Sequence, residues 1–136
     1  MSGRFHTSWR VRFDEVDLQG VVHHTNIVTY LEIARVEFWR ELGISYKAMR
    51  NDGYEFIING VNIEYIKSLT FDEIIDVYVE VKSLKKASFV LKYEIYNQQG
   101  ERAIYAETGL LCSRVGTGKP SGLPEKYLDR LKNPDL

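Results

Sequence analysis

Hydrophobic and polar residues alternate with two different periods along this chain, and the change of period separates predicted strands from one long helix. In residues 8–14, apolar Trp9, Val11 and Phe13 alternate with polar neighbours, which predicts a first β-strand. In residues 27–42 apolar side chains recur at spacings of three and four, which predicts a helix about 24 Å long. We expect its wide apolar face to be buried against a sheet. That face consists of Ile27, Tyr30, Leu31, Ala34, Phe38 and Leu42.

The second half of the chain is typical of β-structure. Its segments alternate apolar and polar residues, and a break near Asn59 and Gly60 interrupts the first of them. Successive hairpins predict a mainly antiparallel five-stranded sheet with the long helix on one face, so the expected fold class is α+β. The four further predicted strands are residues 54–69, 75–84, 89–96 and 102–114.

Two short helices complete the predicted order, one at residues 45–52 before the β-rich half and one at residues 125–132 after a polar loop. We find no linker-like stretch and no internal repeat. We therefore expect one domain over residues 1–136, with its core at about residues 8–115 and a C-terminal loop and short helix at 116–136.

Composition excludes several functional classes. The 18 basic and 19 acidic residues leave a net charge of −1, whereas a nucleic-acid-binding domain would carry a basic excess. No apolar run approaches the roughly 18 residues of a membrane span. The single Cys112 precludes an internal disulfide, and with no apparent signal peptide we expect a cytoplasmic protein.

The most informative segment joins the first strand to the long helix and carries Asp17, Gly20, His23 and His24. A helix N-terminus presents unpaired backbone N–H groups and partial positive charge. A carboxylate beside those donors can serve hydrolysis, since the carboxylate attacks or activates water while the amides hold an oxyanion. The same carboxylate also fits a turn or capping role, and spacing alone leaves both interpretations open.

Other polar residues of this segment are weaker candidates. Strand alternation places Asp14 and Glu15 on opposite faces, which disfavours a pair of coupled acids. Asn26 is expected to be the helix N-cap in preference to a contact with substrate. The adjacent histidines suggest a metal, but neighbouring residues rarely converge on one ion, and we expect no metal site.

Several segments together resemble one family. The signature runs from Asp14 to His24, with Asn26 and Tyr30 beyond it. Further matches are Ala34-Arg35 with Glu37, Leu42-Gly43, Ile63-Glu64-Tyr65 and Lys85-Lys86-Ala87-Ser88-Phe89. From about residue 10 to 124 the chain resembles the hotdog-fold acyl-CoA thioesterases of the 4-hydroxybenzoyl-CoA thioesterase family, with the YbgC-like group nearest.

The resemblance implies roles for individual residues. Asp17 is expected to be the catalytic base or nucleophile, and the main-chain amide of His24 the leading oxyanion donor. The ring of His24 is expected to orient water or the thioester carbonyl. Residues implied to bind substrate are Gly20, Val22, His23 and Asn26 near the reacting group, and Lys85 and Lys86 at the phosphates of coenzyme A. An apolar acyl pocket is expected from Val21, Val22, Tyr30, Phe56, Ile57 and Ile58.

The resemblance also implies an activity and an assembly. We expect hydrolysis of acyl-CoA to a free acid and coenzyme A, with no cofactor beyond the coenzyme A of the substrate. Hotdog proteins pair edge to edge, so a homodimer with its active site at the interface is expected, and further assembly to a homotetramer. Three alternatives stay open: an acyl carrier protein as the substrate carrier, a non-catalytic acyl-CoA binding module, and a dehydratase, whose Asp and His spacing differs.

Overall fold

A long helix lies across one face of an antiparallel sheet in the computed structural model, which describes residues 4–134. The two ends of the predicted domain, residues 1–3 and 135–136, lie outside the described residues. A 3-10 turn at Phe13–Glu15 follows the first strand. The elements are β1 (Phe5–Arg10), α1 (His24–Glu41), α2 (Tyr46–Asn51), β2 (Tyr54–Tyr65), β3 (Ile74–Leu84), β4 (Ser88–Tyr96), β5 (Arg102–Arg114) and α3 (Glu125–Lys132).

The sheet has the strand order β1-β3-β4-β5-β2, and every neighbouring pair is antiparallel. The predicted α+β class and the five-stranded sheet are therefore confirmed. The register between β2 and β5 shifts between Ile58 and Gly60, where the sequence predicted a break. Strand β2 occupies one edge of the sheet, so one side of its backbone is unpaired within the described chain.

Alternation along the strands divides the sheet into a helix-facing side and an outer side. On the outer side, Lys92 of β4 pairs with Glu80 of β3 at 2.7 Å, so charges there lie next to opposite charges. Most helix-facing side chains are apolar and almost fully buried, and they form the core with α1. They include Val77, Val79, Leu91, Ile95, Ala106 and Leu110.

Helix α1 begins one turn earlier than the sequence predicted. It starts at His24, because His23 provides the N-cap and its Nδ1 accepts a hydrogen bond from the backbone N–H of Thr25 at 3.3 Å. The expectation that Asn26 is the N-cap is therefore wrong. The predicted end is confirmed, since Gly43 follows the helix with φ of 72°, a conformation that glycine adopts without strain.

The first strand is also placed differently from the prediction. It covers Phe5–Arg10 instead of residues 8–14, and the chain then turns. The carboxylate of Glu15 accepts the backbone N–H of Arg12 at 2.8 Å, which closes the turn and ends the alternation. As a result Phe13, predicted to alternate with polar residues along a strand, is 79% exposed, whereas Glu15 is only 9% exposed.

We predict that Phe38→Ala destabilises the fold strongly, because Phe38 is fully buried and packs against the ring of Phe5 at 5.7 Å. Truncation of such an aromatic side chain leaves a cavity and costs about 3–5 kcal/mol. The measurement is urea denaturation followed by tryptophan fluorescence. The matched control is Phe13→Ala at the exposed site, for which we expect a change within about 0.5 kcal/mol; equal losses would contradict the described core.

Candidate active site

A tight turn brings Asp17 to the start of helix α1. Val16 and Val22 form an antiparallel bridge across this turn. The backbone N–H of Asp17 donates to the carbonyl of Val21 at 2.9 Å, and that of Gly20 donates to the carbonyl of Asp17 at 3.0 Å. Gly20 has φ of 77°, which side chains other than glycine rarely adopt.

The carboxylate of Asp17 is exposed and held in one orientation. Its Oδ1 accepts hydrogen bonds from the backbone N–H groups of Gln19 at 2.8 Å and Val21 at 3.1 Å. No hydrogen bond to Oδ2 is found within residues 4–134. One oxygen of Asp17 is thus fixed by its own turn, and the other is left to contact a reacting group.

The helix start supplies a free backbone donor next to this turn. The backbone N–H of His23 donates to the carbonyl of Glu15, and that of Asn26 donates to the carbonyl of His23. The backbone N–H of His24, the first residue of α1, has no acceptor in the described part of the chain. An unpaired N–H at the positive end of an 18-residue helix is suited to hold a developing negative charge.

The two histidine side chains have different surroundings. The Nδ1 of His23 lies 2.8 Å from the hydroxyl oxygen of Thr25, in addition to its capping contact. The ring of His24 stacks on that of His23 with centroids 4.4 Å apart, and both are exposed. His23 is therefore occupied with the local structure of the helix start, whereas the ring of His24 makes no hydrogen bond within residues 4–134.

Asn26 also contributes to the architecture of this end of the helix. Its side-chain Nδ2 donates to the backbone carbonyl of Glu15 at 2.9 Å. It therefore joins the helix start to the segment that precedes Asp17, a role that its position in the sequence did not indicate.

Sequence reasoning missed the central residue of this segment, Glu15. Its Oε1 accepts a hydrogen bond from the hydroxyl of Tyr30 at 2.7 Å, and its Oε2 lies 3.2 Å from Nε of Arg12. Burial first, and then the hydrogen bond to Glu15, raises the pKa of Tyr30, so this hydroxyl stays protonated. The spacing of Arg12 and Glu15 gave a weak signal for a local ion pair, but nothing in the sequence indicated the contact with Tyr30.

The predicted acyl-pocket residues do not form a single cavity. Val21 and Val22 line a shallow cavity of about 310 Å³ beside His24 and the start of α1. Tyr30 is fully buried under Glu15 and does not line this cavity. Phe56 and Ile58 instead line a groove of about 700 Å³ between β2 and the C-terminal half of α1, together with Arg35, Trp39 and Tyr46.

Lys85 and Lys86 lie far from Asp17 within one chain. The turn of Asp17 is near the start of β3, since Val21 bridges to Thr70 and Val11 donates to the carbonyl of Glu73. The two lysines are exposed and follow the other end of β3. At about 3.3 Å per residue, that strand separates the two ends by about 30 Å.

Two further observations concern metal ligands and membrane-spanning helices. Residues 4–134 contain no group of three or more His, Cys, Asp or Glu side chains placed to hold a metal ion. None of the helices in the same range is long and apolar enough to cross a membrane.

The fold and site together define a class of enzyme. A helix laid across an antiparallel sheet, with a carboxylate and a free amide at its N-terminus, is equipped for acyl transfer to water. Residues 11–131 match the thioesterase-like superfamily. The chain belongs to this family, and the predicted class of thioester hydrolase with the hotdog fold is confirmed.

Individual relatives agree with this assignment. A DHNA-CoA thioesterase from Staphylococcus aureus has a crystal structure with a TM-score of 0.86 and 32% identity, covering 95% of this chain and 87% of that one. The acyl-CoA thioester hydrolase YbgC of Escherichia coli is 27% identical over 90% of this chain and 92% of its own. A 1,4-dihydroxy-2-naphthoyl-CoA thioesterase from Synechocystis, at 17% identity and a TM-score of 0.90 over 98% and 99%, shares the fold.

We predict that His23→Ala destabilises the protein by about 1 kcal/mol, because it removes the side-chain cap of α1. The neighbouring His24→Ala is the control, since the ring of His24 makes no capping contact, and it should change stability by less than about 0.5 kcal/mol. Chemical denaturation of both variants measures the difference. Equal losses would mean that the ring of His23 does not cap the helix.

Proposed function

We propose that this protein hydrolyses acyl-CoA thioesters to a free acid and coenzyme A, with Asp17 as the catalytic carboxylate. The observation that carries the proposal is that the Oδ2 of Asp17 and the backbone N–H of His24 both lack a hydrogen-bond partner within residues 4–134 and belong to the same turn-to-helix segment. The names of relatives such as YbgC of Escherichia coli support coenzyme A as the carrier. The proposed reaction uses water and the groups of the chain, and coenzyme A enters only with the substrate.

The proposed reaction proceeds through a negatively charged carbonyl oxygen. The carboxylate of Asp17 either attacks the thioester carbon itself or takes a proton from water that attacks it. The backbone N–H of His24 donates to the carbonyl oxygen as charge develops there. If water attacks, the carbon–sulfur bond then breaks, and the proton that Asp17 took from water goes to the departing sulfur. If Asp17 attacks, the carbon–sulfur bond breaks to leave an acyl anhydride on Asp17, and water then hydrolyses that anhydride to the free acid and supplies the proton to the sulfur.

The neighbouring side chains would position the substrate around these two groups. The free ring of His24 would orient water or the carbonyl, and His23 would shape the entrance while it caps the helix. Gly20 and Val22 would form the wall next to the thioester, because Gly20 has no side chain and Val22 lines the cavity beside His24. Asn26 would keep the helix start in place through Glu15.

A second copy of the chain would bring the two halves of the site together. Asp17 lies at one end of the sheet and Lys85 and Lys86 at the other, so a twofold axis across the β2 edge would bring the lysines of one copy to the same side of the dimer as Asp17 of its partner. Strand β2 exposes Val61 (48%) and Tyr65 (55%) along this edge, which supports an interface there. We propose a homodimer on this basis, further pairing to a homotetramer, and a cytoplasmic location consistent with the single free Cys112.

We predict that Asp17→Asn retains the fold but lowers the turnover of acyl-CoA at least about 100-fold, because it removes the attacking or proton-accepting carboxylate. The assay is thiol release from short, long, branched and aromatic acyl-CoAs, with the Tm measured in parallel. The control is Asp14→Asn, an exposed carboxylate three residues earlier, which should stay near wild type. Near-normal turnover by Asp17→Asn would remove Asp17 from its role. No turnover by folded wild type would favour an acyl carrier protein substrate or a binding module.

We predict that Lys85→Ala/Lys86→Ala raises KM more than it lowers kcat, because the two ammonium groups contact phosphates remote from the reaction. Mixing this variant with Asp17→Asn then tests the pairing. If the lysines of one chain complete the site that contains the partner's Asp17, random exchange of subunits in an equal mixture makes about a quarter of all sites intact. Activity at low substrate concentration then recovers. An unchanged KM would contradict the phosphate contact, and a mixture without recovery would place both parts of the site on one chain.

A further inference from the structure

The buried carboxylate of Glu15 joins its own turn to helix α1. Its Oε1 accepts hydrogen bonds from the backbone N–H of Arg12 at 2.8 Å and from the hydroxyl of Tyr30 at 2.7 Å. Its Oε2 lies 3.2 Å from Nε of Arg12. A buried carboxylate without partners would be strongly destabilising, and these three contacts occupy both of its oxygens.

The backbone carbonyl of the same residue holds the start of the helix. It accepts hydrogen bonds from the backbone N–H of His23 at 3.0 Å and from Nδ2 of Asn26 at 2.9 Å. Glu15 therefore connects the end of the first strand segment, the N-terminus of α1 and, through Tyr30, the buried interior of that helix. These groups are called the Glu15 clamp below: Arg12, Glu15, His23, Asn26 and Tyr30.

The turn that follows the clamp carries Asp17 and is largely exposed. Leu18 at its tip is fully exposed. The turn meets the rest of the protein through a few backbone contacts, among them the N–H of Val22 to the carbonyl of Leu69 and the N–H of Phe71 to the carbonyl of Gly20. An exposed turn with few contacts needs a fixed base if its carboxylate is to keep a set position.

We propose that Glu15 is a positioning residue for thioester hydrolysis, which rests on the catalytic role proposed for Asp17. The Glu15 clamp sets the distance between the carboxylate of Asp17 and the free N–H of His24. Glu15 takes no proton in the reaction, because its side chain is buried and already occupied by Arg12 and Tyr30. Misplacing a reacting group by about 1 Å costs up to roughly 100-fold in rate, so loss of the clamp should lower kcat.

The hydroxyl of Tyr30 allows the clamp to be loosened without emptying the core. The ring of Tyr30 is fully buried and packs edge-on against Trp9 at 5.3 Å. Tyr30→Phe keeps that ring and removes only the donor to Glu15. A matched control is Tyr105→Phe, since the hydroxyl of Tyr105 also donates to a glutamate, Glu107, at 2.7 Å, but on the outer side of the sheet.

The experiment compares amide hydrogen exchange and steady-state kinetics in these two variants, with wild-type turnover established first. We expect Tyr30→Phe to speed exchange at the amides of Val21 and His23 and to lower kcat roughly 10-fold or more. KM should stay unchanged, because the proposed phosphate contacts are elsewhere. Tyr105→Phe should change neither the exchange rates of these amides nor kcat. A kcat of Tyr30→Phe equal to that of Tyr105→Phe would overturn the proposal, whatever the exchange rates.

A second pair of variants separates positioning from proton transfer. Glu15→Gln keeps an oxygen that can accept hydrogen bonds from the backbone N–H of Arg12 and the hydroxyl of Tyr30. Its kcat should therefore be no more than about threefold below that of Tyr30→Phe. Glu15→Leu removes both acceptors and should lose about 100-fold. Inactive Glu15→Gln in a folded protein would make Glu15 a proton-transfer group and overturn the positioning role. The turnover of the wild type is measured before that of any variant. A folded wild type that releases no thiol from any acyl-CoA would refute the proposed function instead.

Discussion

The burial of α1 on the helix-facing side of the sheet is the constraint on which the rest of this structure depends. Tyr30, Leu31 and Phe38 lose essentially all contact with water there, and burial of apolar side chains is the main favourable term in folding. Because the docked face fixes both the rotation and the translation of the helix, it also fixes where the N-terminus lies. The free amide of His24 and the turn of Asp17 are positioned by that packing, about 27 Å from the other end of the helix.

The parts of the fold that the sequence could predict are those set by repeating patterns. Alternation in β3, β4 and β5 located those strands to within a residue, and Gly43 marked the end of the long helix by its usual chemistry. The first strand and the start of α1 were misplaced because single hydrogen bonds decide them. The ring of His23 caps the helix although histidine is an uncommon cap, and the carboxylate of Glu15 turns a segment whose alternation resembled a strand.

The candidate site likewise contains residues that a local pattern indicated and contacts that form only in the folded chain. Asp17 and Gly20 were found from a local motif, and the positive φ of Gly20 follows from the turn that the motif makes. The contact between Glu15 and Tyr30 spans 15 residues and exists only once α1 has docked, so no local pattern could indicate it. Asn26 was misassigned for a related reason, since its preference for a cap position lost to a hydrogen bond with the carbonyl of Glu15.

The separation of Asp17 from Lys85 and Lys86 connects the fold to the proposed assembly. A single antiparallel sheet places the two ends of β3 on opposite sides, so one copy of this fold holds Asp17 and the two lysines about 30 Å apart. A twofold axis across the β2 edge would bring opposite ends of two identical sheets to the same side of a dimer. Under the proposed pairing, the β2 edge is as much a part of catalysis as Asp17, and turnover depends on protein concentration through the dimer equilibrium. The Glu15 clamp then has to fix the position of Asp17 relative to its own helix and relative to a phosphate-binding site on another chain.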